Sequence, residues 1–159
     1  MRAWVLLLFL ASCQKLDEPR PLDQLDVHMF RCSVQPVLTK SCASLRCHGD
    51  GNRYYKIFAR NRLRFNLGED QRNATLQDIE RAYNYNASIA QVDSKKPLDS
   101  FLLLKPLDEA AGGYYHGGAV EYGMGDVFLS RDEPDFRTLQ AWVTGGTEDP
   151  NCIEPGSNL

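Results

Sequence analysis

Past its first ten residues the sequence has no apolar run long enough to cross a bilayer, which excludes a multi-span membrane protein. It also lacks a strong excess of either charge: nothing in the net charge of −3 suggests nucleic acid. Paired acid and base groups, or a nucleophile with its base, are missing as a recognisable constellation, so nothing argues for an enzyme. Histidine is scarce, with three residues in 159, at positions 28, 48 and 116. A chain of this length with 43% apolar residues fits one small domain plus appendages.

The N-terminus carries Arg2, a short apolar run from Trp4 to Leu10, and small residues before a cysteine, Leu10-Ala11-Ser12-Cys13. That pattern is a secretory signal and is too short for a span. It resembles the bacterial lipobox, which implies cleavage before Cys13 and lipidation of that cysteine; an ordinary signal peptide cut elsewhere is the alternative. The lipid would then be the only membrane anchor. The expected organisation is a signal peptide over 1–12, a lipidated cysteine and tether over 13–29, a folded domain over 30–152 and a tail over 153–159.

Cys42-Ala-Ser-Leu-Arg-Cys47-His48-Gly49 is the most informative stretch. Two thiols followed at once by an imidazole are what covalent attachment of haem requires: each sulfur adds to one vinyl group and the adjacent histidine reaches the iron. Four residues separate the cysteines, where two are usual. A local Cys42–Cys47 disulfide, a zinc site using Cys42, Cys47 and His48 with no obvious fourth ligand nearby, and two unconnected thiols compete with that reading. With Cys13 assigned to lipid, Cys32 and Cys152 remain near the ends of the folded part. In an oxidising compartment they are expected to pair, against the alternatives that Cys32 pairs with Cys42 or stays free.

Periodicity predicts a short helix over 30–44, with Pro36 in its first turns where a missing N–H costs least. The 53–66 stretch reads as a small hairpin or irregular loop, its arginines and Lys56 as a solvated face or a cationic rim. A second helix is expected over 75–90, opened by Thr75 and Asp78 and burying Leu76, Ile79, Ala82, Tyr83 and Ala87. Ser100 to Lys105 is an apolar run ended by Pro106. Gly112-Gly113-Tyr114-Tyr115-His116-Gly117-Gly118 sets an imidazole on a glycine-rich loop. Asp132-Glu133-Pro134-Asp135 starts a last helix with Phe136, Leu139, Trp142 and Val143 on one face, closed by Gly145-Gly146 and packed across the first.

Taken in order, Val34-Gln-Pro-Val-Leu38 before Cys42, Cys47-His48-Gly49, Ser100-Phe-Leu-Leu-Leu-Lys105-Pro106, His116-Gly117-Gly118 and Phe136-x-x-Leu139-x-x-Trp142-Val143-x-x-Gly146 resemble a family. It is that of small bacterial cytochrome c-like domains in secreted proteins and lipoproteins, including those of myxobacteria and planctomycetes. The resemblance implies a mainly α, cytochrome c-like helical domain with long loops and one covalent haem c, with Cys42 and Cys47 in thioether bonds and His48 as the proximal iron ligand. It makes His116 the first choice for the distal ligand. Met124, in Tyr122-Gly-Met-Gly125, is the alternative and resembles the methionine loop of ordinary class I cytochromes; His28 is a remote third candidate. The expected function is electron transfer by a monohaem carrier in the bacterial cell envelope. It would be lipid-anchored, in the outer membrane facing the periplasm, and would exchange electrons with a redox protein partner. A haem-free, disulfide-bonded envelope lipoprotein acting as an interaction module is the rival, and a haem peroxidase or sensor with an open distal side is the third reading.

Overall fold

A computed structural model of the chain describes residues 21, 25–117, 123 and 125–155. Cys13 and Met124 lie outside the described residues, as does the N-terminal apolar run. Among the described residues the fold is mainly helical and no strand forms; a single parallel bridge joins Leu107 to Phe128. No helix among them is long and apolar enough to cross a membrane.

The first helical run, α1, covers residues 27–42 and alternates α-helical turns, Val27–Met29 and Gln35–Val37, with wider π-type turns, Phe30–Val34 and Leu38–Cys42. It begins earlier than the sequence pattern suggests, because the Asp26 side chain accepts the Met29 N–H and caps it. Leu25 and Met29 are buried, and the Asp26 carbonyl accepts the Trp142 indole N–H at 2.9 Å. The chain over 25–29 is thus part of the folded body and not tether. The early start leaves Pro36 in mid-helix instead of the first turns. Its ring removes one N–H and crowds the carbonyl four residues back, and the preceding π turn opens the ladder to accommodate it.

Helix α2, Asp78–Ile89, differs from expectation in both its cap and its face. The cap is Gln77 with Glu80, each accepting the other's backbone N–H. The buried stripe is Glu80, Asn84 and Ser88, while Ile79 is 53% exposed and Ala82 and Tyr83 face solvent. A polar stripe is buried because every member is hydrogen-bonded. Glu80 accepts from Arg64 Nε and Nη2, both at 2.9 Å, and from the Phe65 and Gln77 amides, both at 2.8 Å. Asn84 pairs with both backbone groups of Phe58 at 2.8 Å and donates to Gln35. Ser88 Oγ bonds the Tyr55 hydroxyl at 3.1 Å.

Residues 53–75 are irregular apart from one 3-10 turn, Glu69–Gln71, and hang on that stripe. Arg64 is no part of a solvated face: its side chain is 2% exposed, and it also donates to the carbonyls of Arg72, Ala74 and Thr75. A charge at this depth persists only because it is paired and fully bonded.

The short helix α3, Phe101–Leu104, buries Leu102, Leu103 and Leu104 as expected of that apolar run, and Pro106 follows it. Helix α4, Pro134–Val143, buries Phe136, Leu139, Trp142 and Val143 and crosses α1, with the Phe30 and Trp142 rings 5.2 Å apart. Gly145, with φ +91°, takes the left-handed conformation just beyond it. Cys32 of α1 and Cys152 form a disulfide that staples the chain beyond α4 to the first helix.

Candidate functional site

The loop after α1 folds back on itself. The His48 amide donates to the Cys42 carbonyl at 3.1 Å, and the Ser44 carbonyl accepts both the Cys47 amide at 2.9 Å and the Gly49 amide at 2.8 Å. Gly49 is required here: a Cβ at that position would stand 2.2 Å from the Ala43 carbonyl oxygen. The loop therefore fixes Cys42, Cys47 and His48 on one short, closed frame at the end of α1.

His48 is oriented from behind. Its Nδ1 lies 2.7 Å from the Tyr55 carbonyl, and because a carbonyl only accepts, Nδ1 carries the proton and Nε2 keeps its lone pair. Tyr55 is itself held by the hydroxyl bond to Ser88 and by an edge contact of its ring with the imidazole, centroids 4.8 Å apart.

His116 arrives on a separate arm. Gly113 packs so closely on Leu107 that a Cβ would meet the Leu107 carbonyl oxygen at 1.8 Å. The Tyr114 amide donates to the Leu104 carbonyl at 2.7 Å, and Lys105 Nζ donates to the Tyr115 carbonyl at 2.7 Å. These contacts bring His116 opposite His48, with ring centroids 6.1 Å apart and planes within 13° of parallel. The separation is too wide for face-to-face contact of two rings, which meet at roughly 3.5–4 Å.

Both histidines and both free cysteines line one cleft of about 240 Å³, walled mainly by apolar side chains, among them Leu38, Leu102, Pro106, Val127 and Leu139, with Phe101 at its rim. Burial, reinforced by neighbouring His116 and Arg53, holds the His48 imidazole below its ordinary range against the pull of the Tyr55 carbonyl. His116 is lowered too, by burial and then by Lys105, with Asp126 opposing. Neutral imidazoles are the form that binds metals. Cys42 is buried, and burial, with the charge of Cys47 adding to it, pushes its thiol up to about 12. Among the described residues no group of three or more His, Cys, Asp or Glu side chains could hold a bare metal ion. That weighs against zinc on Cys42, Cys47 and His48, which needs its ligands to converge on one point.

The sequence-predicted residues Cys42, Cys47, His48 and His116 are thus gathered in one place, while His28 lines a different cleft, beside the disulfide. Gly113 belongs to the glycine-rich loop marked in the sequence, whereas Tyr55, Ser88 and Lys105 support the site without having been singled out for it. Their signal was faint: a tyrosine among several, a serine on a helix, a lysine ending an apolar run. No protein-family model, curated protein or solved structure matches the chain.

Proposed function

We propose that this protein is a monohaem c-type electron carrier, with haem attached through Cys42 and Cys47 and held between His48 and His116. The observation that carries this reading is the His48–His116 pair. An ion between two imidazole nitrogens at roughly 2 Å each, with each ring centre about 1 Å farther back, would set the centres roughly 6 Å apart; the 6.1 Å between the His48 and His116 centroids is a spacing that admits an ion between the two rings. Only two protein ligands are then needed, so the want of a larger cluster does not count against it.

When bound, haem supplies a one-electron couple. The chain's own contribution follows from its residues. The Tyr55 carbonyl fixes the His48 tautomer and raises the basicity of Nε2 toward a metal. Leu38, Leu102, Val127 and Leu139 give the cleft an apolar lining. Cys42 and Cys47 line the same cleft on the side of the His48 frame, where covalent tethering would prevent loss of the group. Were haem held by both His48 and His116, its iron would have no open position for a substrate, which argues for a carrier over a peroxidase or sensor. Bis-histidine ligation also lowers the potential relative to a His/Met pair. Lipidation of Cys13 would hold the carrier at the cell envelope, facing the periplasm, within reach of a protein redox partner.

The test is expression alongside cytochrome c maturation machinery, followed by acid–acetone extraction of the denatured chain. One haem per chain that resists extraction is the expected result. Protein that carries none under those conditions abandons the carrier for the haem-free interaction module.

A further inference from the structure

Helix α1 has a second cleft on another face. Leu38, Ser41 and Cys42 look into the site described above, whereas Arg31, Gln35, Pro36 and Thr39 border a separate cavity of about 240 Å³. Arg60 and Arg81 also line it, so three guanidinium groups border one small space whose single carboxylate is Glu154. Glu154 Oε2 lies 3.4 Å from Arg31 Nη2 and 3.5 Å from Arg81 Nη1. Charge-assisted hydrogen bonds are normally about 2.7–2.9 Å, so two arginines share one oxygen loosely and neither makes a bidentate fork. Arg81 is also committed to Asp78 at 3.0 Å and to the Leu76 carbonyl, so Arg31 is the guanidinium that Glu154 leaves least satisfied.

Glu154 reaches the cleft from a short segment two residues beyond Cys152, and the Cys32–Cys152 bridge anchors that segment beside Arg31. Its side chain is 15% exposed, against 44% for Arg31 and 23% for Arg81, so the carboxylate is tucked under cations that still face solvent. The remaining wall is apolar where Pro36, Leu76 and Pro155 meet it.

We propose that this cleft is a carboxylate-binding site occupied by the chain's own Glu154, and that it accepts a small organic carboxylate with a short apolar body in place of that side chain. The acid head would take the fork of Arg31, with Arg81 adding charge from beside its own pair with Asp78. The body would lie on Pro36 and Leu76. Glu154, tethered by the disulfide, acts as an intramolecular competitor that keeps affinity low until a ligand of sufficient concentration displaces it.

The experiment is calorimetric titration of the full mature chain with benzoate, with inorganic phosphate as a second probe. Glu154→Gln removes the competitor and should tighten benzoate binding by about tenfold or more. Adding Arg31→Gln to that variant should cancel the gain. Arg31→Lys in that variant, which keeps the charge but loses the fork, should weaken benzoate severalfold. Absence of benzoate binding in Glu154→Gln, indifference to Arg31→Gln, or a gain seen with phosphate and not benzoate would each overturn the proposal. Retention of the disulfide by mass and an unchanged circular dichroism spectrum establish that the variants fold, and the heat signal is independent of whether haem is bound.

Discussion

Replacing Glu80 by Gln isolates the contact on which α2 and the 53–75 segment depend. The carboxylate accepts four hydrogen bonds, two from Arg64 and one each from the Phe65 and Gln77 amides. Glutamine offers one oxygen to replace two and turns an NH2 group toward donors, so about half of these bonds fail and the Arg64 guanidinium loses its counter-charge. With the Glu80 side chain 0% and that of Arg64 2% exposed, water cannot take over. Breaking one partner of a buried pair costs about 3–5 kcal/mol, a large part of the roughly 5–15 kcal/mol that holds a domain folded. The carbonyls that also accept from Arg64 soften this, which places the expectation near 3 kcal/mol. Urea unfolding at pH 7 measures it. Glu69→Gln, which disturbs an exposed pair with Arg72, is the control and should change stability by no more than about 1 kcal/mol. The loss should also depend on pH. Burial alone would raise the Glu80 carboxyl, but the Arg64 hydrogen bonds, the two amides and the Arg64 charge together hold it below its ordinary range. A depressed carboxyl stabilises the fold above its unfolded value, about 4.3, and that contribution is lost as pH falls through the folded value. Wild type and variant should therefore begin to converge as pH falls below the unfolded value and meet only below the folded one. A loss under about 1 kcal/mol at pH 7, or a difference that persists unchanged at low pH, would refute the reasoning.

Replacing both Cys32 and Cys152 by Ser opens a loop with a sequence separation of 120 and should cost about 4–5 kcal/mol in the chain-entropy model; a loss under about 1 kcal/mol by urea unfolding contradicts it. His116→Ala should let carbon monoxide bind the reduced haem protein, while Met124→Ala leaves its spectrum nearly unchanged. A far-red sulfur-to-iron band in wild type that vanishes in Met124→Ala would instead assign the distal position to methionine. Cys13→Ser should move the protein from the membrane to the soluble fraction, and unchanged fractionation with unchanged mature mass sinks the lipid anchor.

Where burial is apolar, the sequence was readable. Phe136, Leu139, Trp142 and Val143 repeat at helical spacing and are all buried, and the Leu102–Leu104 run packs inward as its composition requires. Helix α2 was read on the wrong face because its partners are polar and distant: Glu80 is buried only by virtue of Arg64, and Asn84 by virtue of the Phe58 backbone, and neither relation leaves a period in the chain. The extended start of α1 was hidden for a similar reason, since Pro36 looks like a first-turn residue until a π turn is allowed before it. At the site, Cys42, Cys47 and His48 are neighbours in sequence and could be grouped by spacing. His116 could be singled out by its glycines, but its approach to His48 rests on Gly113 against Leu107 and on Lys105 holding the Tyr115 carbonyl.

The four residues between Cys42 and Cys47 bear directly on whether this loop suits the attachment proposed for it. What such a motif must fix is the relation of the two sulfurs to the histidine, not the length of chain between them. Here the return of the backbone is closed at its base, His48 N–H to the Cys42 carbonyl, and again one level up, where the Ser44 carbonyl takes the amides of Cys47 and Gly49. Leu45 and Arg46 carry the additional length and are turned out to solvent, Leu45 at 59% exposure. The Arg46 carbonyl accepts from Arg53 Nη2 at 3.3 Å, which ties the outer bend to the following turn. The extra residues are thus spent on a surface bulge, while Cys42 and Cys47 still face the cleft that holds His48 and His116. A longer gap placed in this way leaves the geometry at the base of the loop, and with it the case for covalent attachment, intact.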